Sequence, residues 1–176
     1  MKIFQVRSIA QRGLRRLLPG LIITLSVFGC SDDVNKKDYA FKNQDAQGKI
    51  AGKTWNYASG KFRYSDDGES VYITLYSETE DPACSASTPA FIDIALPARV
   101  GLKEIGDAES PFLTVLLHDL SVIVDSSPYT YLAVGKHGAA EILTITDTEV
   151  TGRIDVRESN SSFVNGNFTV SFCPGS

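Results

Sequence analysis

The sequence predicts an all-β fold, a single antiparallel β-sandwich or barrel-like domain of about eight or nine strands spanning residues 49–176. Three observations carry this. Apolar and polar residues alternate with period two, as a half-buried strand requires. Turn residues interrupt that alternation at short, regular intervals. No window shows the i, i+3, i+4, i+7 stripe of a substantial helix.

The elements follow in chain order. Ile50–Tyr57 and Lys61–Tyr64 read as strands separated by Ala58-Ser59-Gly60, and Asp66-Asp67-Gly68 is a hairpin turn signal. Ser70–Ser77 is the clearest strand: Val71, Ile73 and Leu75 point one way, Tyr72, Thr74 and Tyr76 the other. A polar loop from Glu78 to Pro89 carries Cys84, and Phe91–Leu96 alternates again with Ile92, Ile94 and Leu96 inward and Asp93 outward. Pro97–Pro111 reads as a longer connection with room for one helical turn. Phe112–Leu117 and Ser121–Val124 are apolar enough for central strands, and Tyr129–Val134 and Glu141–Thr146 flank the turn Gly135-Lys136-His137-Gly138.

The C-terminal part holds a small repeat. Val150-Thr151-Gly152-Arg153-Ile154-Asp155-Val156 and Val164-Asn165-Gly166-Asn167-Phe168-Thr169-Val170 share the pattern V-x-G-x-Φ-x-V. Two such strands around Glu158–Ser162 make an antiparallel hairpin. A glycine on the inward face of each predicts a bulge or a large side chain packed over it, Trp55 or a phenylalanine.

The first 29 residues differ from the rest. Lys2, Arg7, Arg12, Arg15 and Arg16 precede the apolar run Leu21–Phe28, with no acid among them. A basic stretch, a short apolar core and a small residue form the layout of an export signal. The run falls well short of the roughly 20 residues a spanning helix needs. Val27-Phe28-Gly29-Cys30 resembles the lipobox of bacterial lipoproteins, although Phe28 is larger than the residue usual there. The resemblance implies a diacylglyceryl thioether on Cys30, cleavage before it and acylation of the new amine. Ser31 after that cysteine resembles the outer-membrane sorting pattern, so the expected location is the cell envelope, lipid-anchored, facing periplasm or exterior. Two or three acyl chains, at about 0.8 kcal/mol per buried CH₂, hold a protein on a membrane stably. Residues 31–48 are polar and read as a flexible tether with a span of roughly 20–25 Å.

Removing the signal sharpens the charge. Five of the 17 basic residues lie in it, which leaves 12 against 21 acids, a formal −9. Such a domain is repelled by phosphate backbones, which argues against nucleic acid. Of three cysteines, one is taken by the lipid, and Cys84 and Cys173 remain as an even pair for a disulfide in an oxidising compartment. Two cysteines and two distant histidines lack the spacing of a metal site, and no cofactor motif is complete. Gly48–Thr54 has three residues between its glycines where a phosphate loop needs four. Gly48–Trp55, the V-x-G-x-Φ hairpin and the final cysteine are together similar to features of small bacterial β-lipoproteins; the resemblance implies a structural frame and brings no assigned activity with it.

Chemistry-bearing groups are sparse. His118-Asp119-Leu120-Ser121 contains the residue types of a hydrolase triad, but neighbours on a strand point to opposite faces. No G-x-S-x-G or S-x-x-K motif occurs, so no catalytic residue is assigned. His137 sits in a glycine-flanked turn and reads as solvated. The acid groups Asp66–Glu69 and Glu78–Asp81 offer clustered oxygens for calcium, with polar turns as the simpler reading. The most informative surface is aromatic: Tyr72 and Tyr76 share a face, and Phe62 and Tyr64 are expected alongside, as a platform for a protein or glycan ligand. The expectation is a non-enzymatic binding or envelope-structural lipoprotein. Two alternatives stay open. One is an inhibitor of a host or rival enzyme such as lysozyme, for which Ala58-Ser59-Gly60-Lys61 is a distant echo of the inhibitors' loop; the other is a hydrolase built on carboxylates.

Overall fold

The computed structural model describes residues 38–79, 84, 89–105, 113–123 and 130–174, with the side chains of 122 and 123 excepted. The lipobox, Glu80 and Asp81 of the Glu78–Asp81 group, and residues 106–111 of the connection that ends at Pro111 lie outside them. No α-helix occurs among the described residues. Eleven strands form: β1 (Gln47–Ile50), β2 (Lys53–Asn56), β3 (Ser59–Tyr64), β4 (Ser70–Tyr76), β5 (Ala90–Pro97), β6 (Gly101–Glu104), β7 (Thr114–Ile123), β8 (Thr130–Val134), β9 (His137–Ile145), β10 (Glu149–Ser159) and β11 (Ser162–Phe172).

Nine of them make one curled sheet, a half-barrel, in the order β6-β9-β10-β11-β3-β4-β5-β7-β8. All neighbours are antiparallel except β11 and β3, which run parallel over Ser171↔Lys61 and Phe172↔Phe62. That pair departs from the purely antiparallel sheet predicted. It joins two antiparallel halves, and β1 occupies the other end of the same β11 edge through Gln47↔Asn165, Gly48↔Val164 and Lys49↔Phe163.

One core fills the curl. Phe62, Ile73, Leu75, Ile92, Ile94 and Leu117 come from one half, and Ile142, Val150, Ile154, Val156, Val164 and Phe168 from the other. The unit from Asn35 to Ser176 therefore carries its own core, whose members all lie at or after Ala46. Polar ties close one end: the Trp55 indole donates to the Ala90 carbonyl at 3.3 Å, and the Tyr131 and Ser162 hydroxyls meet at 2.6 Å.

The repeat explains its glycines. In the β10–β11 register Gly152 stands opposite Phe168 and Ile154 opposite Gly166, so each glycine faces the large residue of the other copy. A Cβ on Gly152 would overlap the Phe168 ring. Phe168, not Trp55, thus fills the gap, and the β9–β10 register also shifts between Thr151 and Gly152, a bulge. Gly166 holds φ at 143°, with the backbone of Asp45 and Ala46 where a side chain would be.

Several boundaries differ from the sequence reading. The stretch Ile50–Tyr57 is not one strand, because Ala51 (φ 50°) and Gly52 (φ 80°) turn it into the β1–β2 hairpin. That same turn places Gly48–Thr54 in a hairpin. β7 runs unbroken through His118, with the irregularity between Asp119 and Ile123 absorbed as a bulge. β6 occupies part of the connection read as coil.

The segment read as a tether is held to the domain from Asp38 onward. Asn165 grips it with both ends of its amide: Oδ1 accepts the Lys42 N–H at 2.9 Å, and Nδ2 donates to the Ala40 carbonyl at 3.0 Å. Asp155 Oδ2 accepts the Ala40 N–H at 2.7 Å, and Gln44 and Ala46 exchange backbone bonds with Asn167. The Arg153 guanidinium lies 4.4 Å from the Phe41 ring centre. Ala46 is fully buried. This strap covers the outer face of β10 and β11.

Candidate functional site

The outer face of β3-β4-β5-β7 has no such strap among the described residues. Strand pairing lays it out in rows: Arg63, Tyr72, Ala95 and Thr114; then Thr74, Asp93 and Leu116; then Tyr76, Phe91 and His118. Ala95 is small between Tyr72 and Thr114, and the surface dips there. The result is a groove of about 390 Å³ lined by Arg63, Tyr72, Thr74, Asp93, Thr114 and Leu116. That volume lies at the small end of ligand sites.

Two of the groove's polar groups bond each other, and His118 lies beside the pair. Thr74 Oγ1 donates to Asp93 Oδ1 at 2.7 Å. His118 Nε2 sits 3.3 Å from Asp93 Oδ2 but without the alignment of a hydrogen bond, so the nitrogen is buried and unsatisfied. The imidazole is held flat against Phe91, ring centres 4.3 Å apart. The Arg63 guanidinium stacks on one face of Tyr72 at 4.5 Å and makes no ion pair among the described residues. Side by side stand an aromatic ring, a carboxylate, hydroxyls and a cation: groups that grip a polar ligand by stacking and hydrogen bonds.

Of the four residues expected to form an aromatic platform, only Tyr72 stands open, at 41% exposure. Phe62 is 1% exposed and belongs to the core. The hairpin register decides this: Phe62 pairs with inward Ile73, while Arg63 pairs with outward Tyr72, and a one-residue register difference moves a whole strand face. Tyr64 follows Phe62 and packs against it and Phe172. Tyr76 does share the Tyr72 face but is only 4% exposed, with Phe91 and Lys61 beside it. The groove residues Arg63, Asp93 and Leu116 were missed. The alternation of Phe91–Leu96 already put Asp93 outward; its neighbours required the register.

The other expected groups fall elsewhere. Cys84 and Cys173 are bonded, Cα atoms 5.4 Å apart, and staple the loop after β4 to the chain after β11. Asp119 points away from His118, as strand geometry requires, and is buried. Its Oδ2 pairs with Lys53 at 3.1 Å, and its Oδ1 accepts both the amide and, at 2.5 Å, the hydroxyl of Ser121. Burial pushes this carboxyl up, but the Ser121 and Lys53 hydrogen bonds outweigh it and hold the acid below its ordinary range. Lys53 also donates to the Ser121 hydroxyl at 2.8 Å. This cluster ties β2 to β7.

Asp67 is engaged in its own turn, accepting from the Ser65 hydroxyl and the Glu69 amide, which lower its pKa. No cluster of three or more metal-ligating side chains occurs among the described residues. His137 is exposed and lies 3.9 Å from Asp38, in a hollow of about 340 Å³ that includes Asp155 and Arg157 and belongs to the strap. Ser59-Gly60-Lys61 lies within β3, with Gly60 beneath Val170, and forms no free loop. No protein-family model, no curated protein and no solved structure matches the chain.

Proposed function

We propose that this chain is a lipid-anchored extracytoplasmic protein, non-enzymatic, whose outer-sheet groove binds a saccharide. The observation that carries the reading is the groove itself: an open tyrosine face beside a carboxylate and two hydroxyls on a rigid sheet. Sugar rings offer C–H faces to stack on an aromatic ring and hydroxyls to bond with a carboxylate, and a rigid strand platform costs little entropy on binding. Arg63 adds a cation for an acidic sugar. The disulfide supports an oxidising compartment, where such bonds persist. The lipid anchor rests on Val27-Phe28-Gly29-Cys30 and places the protein in the cell envelope, at the outer membrane by Ser31.

The anchor is tested by the intact mass of the protein from native membranes beside a Cys30→Ala variant. The reading expects residues 30–176 plus lipid, two hydrogens lighter before reduction. An unlipidated mass retaining residues 1–29 would refute it. The groove is tested on an array of bacterial and host glycans. Hits that vanish in Tyr72→Ala and Asp93→Asn support the reading; hits indifferent to both would move the ligand elsewhere.

A further inference from the structure

The two ends of the sheet are built differently. β6, at one end, is four residues long and carries Lys103 and Glu104, the charged short edge by which proteins prevent strand pairing. β8, at the other, reads Thr130-Tyr131-Leu132-Ala133-Val134 and carries no charge and no proline.

The hydrogen-bond phase of β8 is set by the Gly135 N–H, which donates to the Val115 carbonyl at 2.8 Å. Antiparallel pairs alternate, so Tyr131 and Ala133 also bond β7, while the N–H and C=O groups of Leu132 and Val134 point away from it. Those four groups have no backbone partner among the described residues. The side chains of the same two residues stand in solvent, at 53% and 51% exposure.

We infer that β8 pairs antiparallel with β8 of a second copy of this chain, about a two-fold axis through Ala133. This register satisfies all four groups at once: Leu132 bonds Val134 of the other copy, and Val134 bonds its Leu132. It also sets Leu132 against Val134 across the junction on the outer face, an aliphatic cross-strand pair. The closest approach falls on Ala133, the smallest residue of the strand. An isologous pairing must present one patch to itself, and like charges would forbid it. The domain is acidic, yet β8 brings no charge to the contact. A five-residue ribbon buries less than the ~1,200 Å² of a stable complex, so the dimer is a weak, concentration-dependent one.

The test is sedimentation equilibrium of residues 35–176, from about 10 µM to about 1 mM, the range a small interface spans. The expected result is a monomer–dimer equilibrium that weakens about tenfold or more in Leu132→Lys and is unchanged in Leu143→Lys, an exposed leucine on β9. Both sites are solvent-exposed, so folding is retained, which circular dichroism checks. Amide exchange at high concentration is expected to slow at Leu132 and Val134. A monomer at every concentration, or a dimer equally indifferent to Leu132→Lys, overturns the inference.

Discussion

The two halves of the sheet send the same kind of aliphatic side chains inward and differ in what their outer faces meet. On β10 and β11 the outward Arg153, Asp155, Asn165 and Asn167 are engaged by the chain's own segment 38–46. On β4, β5 and β7 the outward Tyr72, Thr74, Asp93 and Leu116 line a groove. Both faces carry polar groups next to an aromatic ring, so composition alone does not separate them. Occupancy does: one face spends its hydrogen-bonding capacity on the chain's own segment 38–46, and the other, open among the described residues, is the face we propose for a ligand.

The largest effect that sharpens this contrast is expected in the aromatic pair set apart by the β3–β4 register. Phe62→Ala leaves a cavity in the core and is expected to cost about 3–5 kcal/mol by urea unfolding. Tyr72→Ala, one strand away, is expected to change stability by about 0.5 kcal/mol or less while abolishing glycan binding. Equal losses of stability in both would break the distinction between structural and working aromatics.

Next comes the staple. The Cys84–Cys173 bond closes a separation of 89 residues. Its reduction is expected to lower unfolding free energy by about 2–4 kcal/mol, read as a shift in the denaturant midpoint. Smaller again is the strap. Asn165→Ala removes the group that grips Lys42 and Ala40, an expected loss of about 1–3 kcal/mol. Amide exchange should then quicken across residues 40–46 and leave β4 and β5 untouched. Protection of 40–46 unchanged by the substitution would show that the strap does not depend on that amide.

The smallest effect is one of acidity. Asp119 is held below its ordinary range in the folded chain, so its contribution is present above the unfolded value near ~3.9 and lost as pH falls through the folded one. Melting temperature is therefore expected to stay level from about pH 7 to about pH 5 and to fall below about pH 4. In Asp119→Asn that acid limb should be shallower. A loss already complete at about pH 5 would contradict the sign of the shift.

Much of this contrast was legible before any coordinates. The alternation of β4 and β5 predicted which side chains face the core, and Asp66-Asp67-Gly68 predicted their hairpin neighbour. The repeat predicted β10 and β11, and the structure added that each glycine answers the other copy's bulky residue. What could not be read depends on long-range pairing. Phe62 and Tyr64 were set beside Tyr72 because alternation within one strand does not state the register between two. The strap reads as a tether in the sequence because Asn165 and Asn167 bind backbone groups more than a hundred residues away, and a polar segment held this way has the composition of a free one. The parallel β11–β3 contact rests on only two residue pairs and leaves no periodic trace.

The most direct test of the open face as the working face is a map of amide shifts in nuclear magnetic resonance, recorded while an oligosaccharide that binds on the array is titrated into the folded domain. The shifts are expected to cluster at Arg63, Tyr72–Thr74, Asp93–Ala95 and Thr114–Leu116. Shifts clustered instead on the strap and the outer face of β10 and β11 would contradict it.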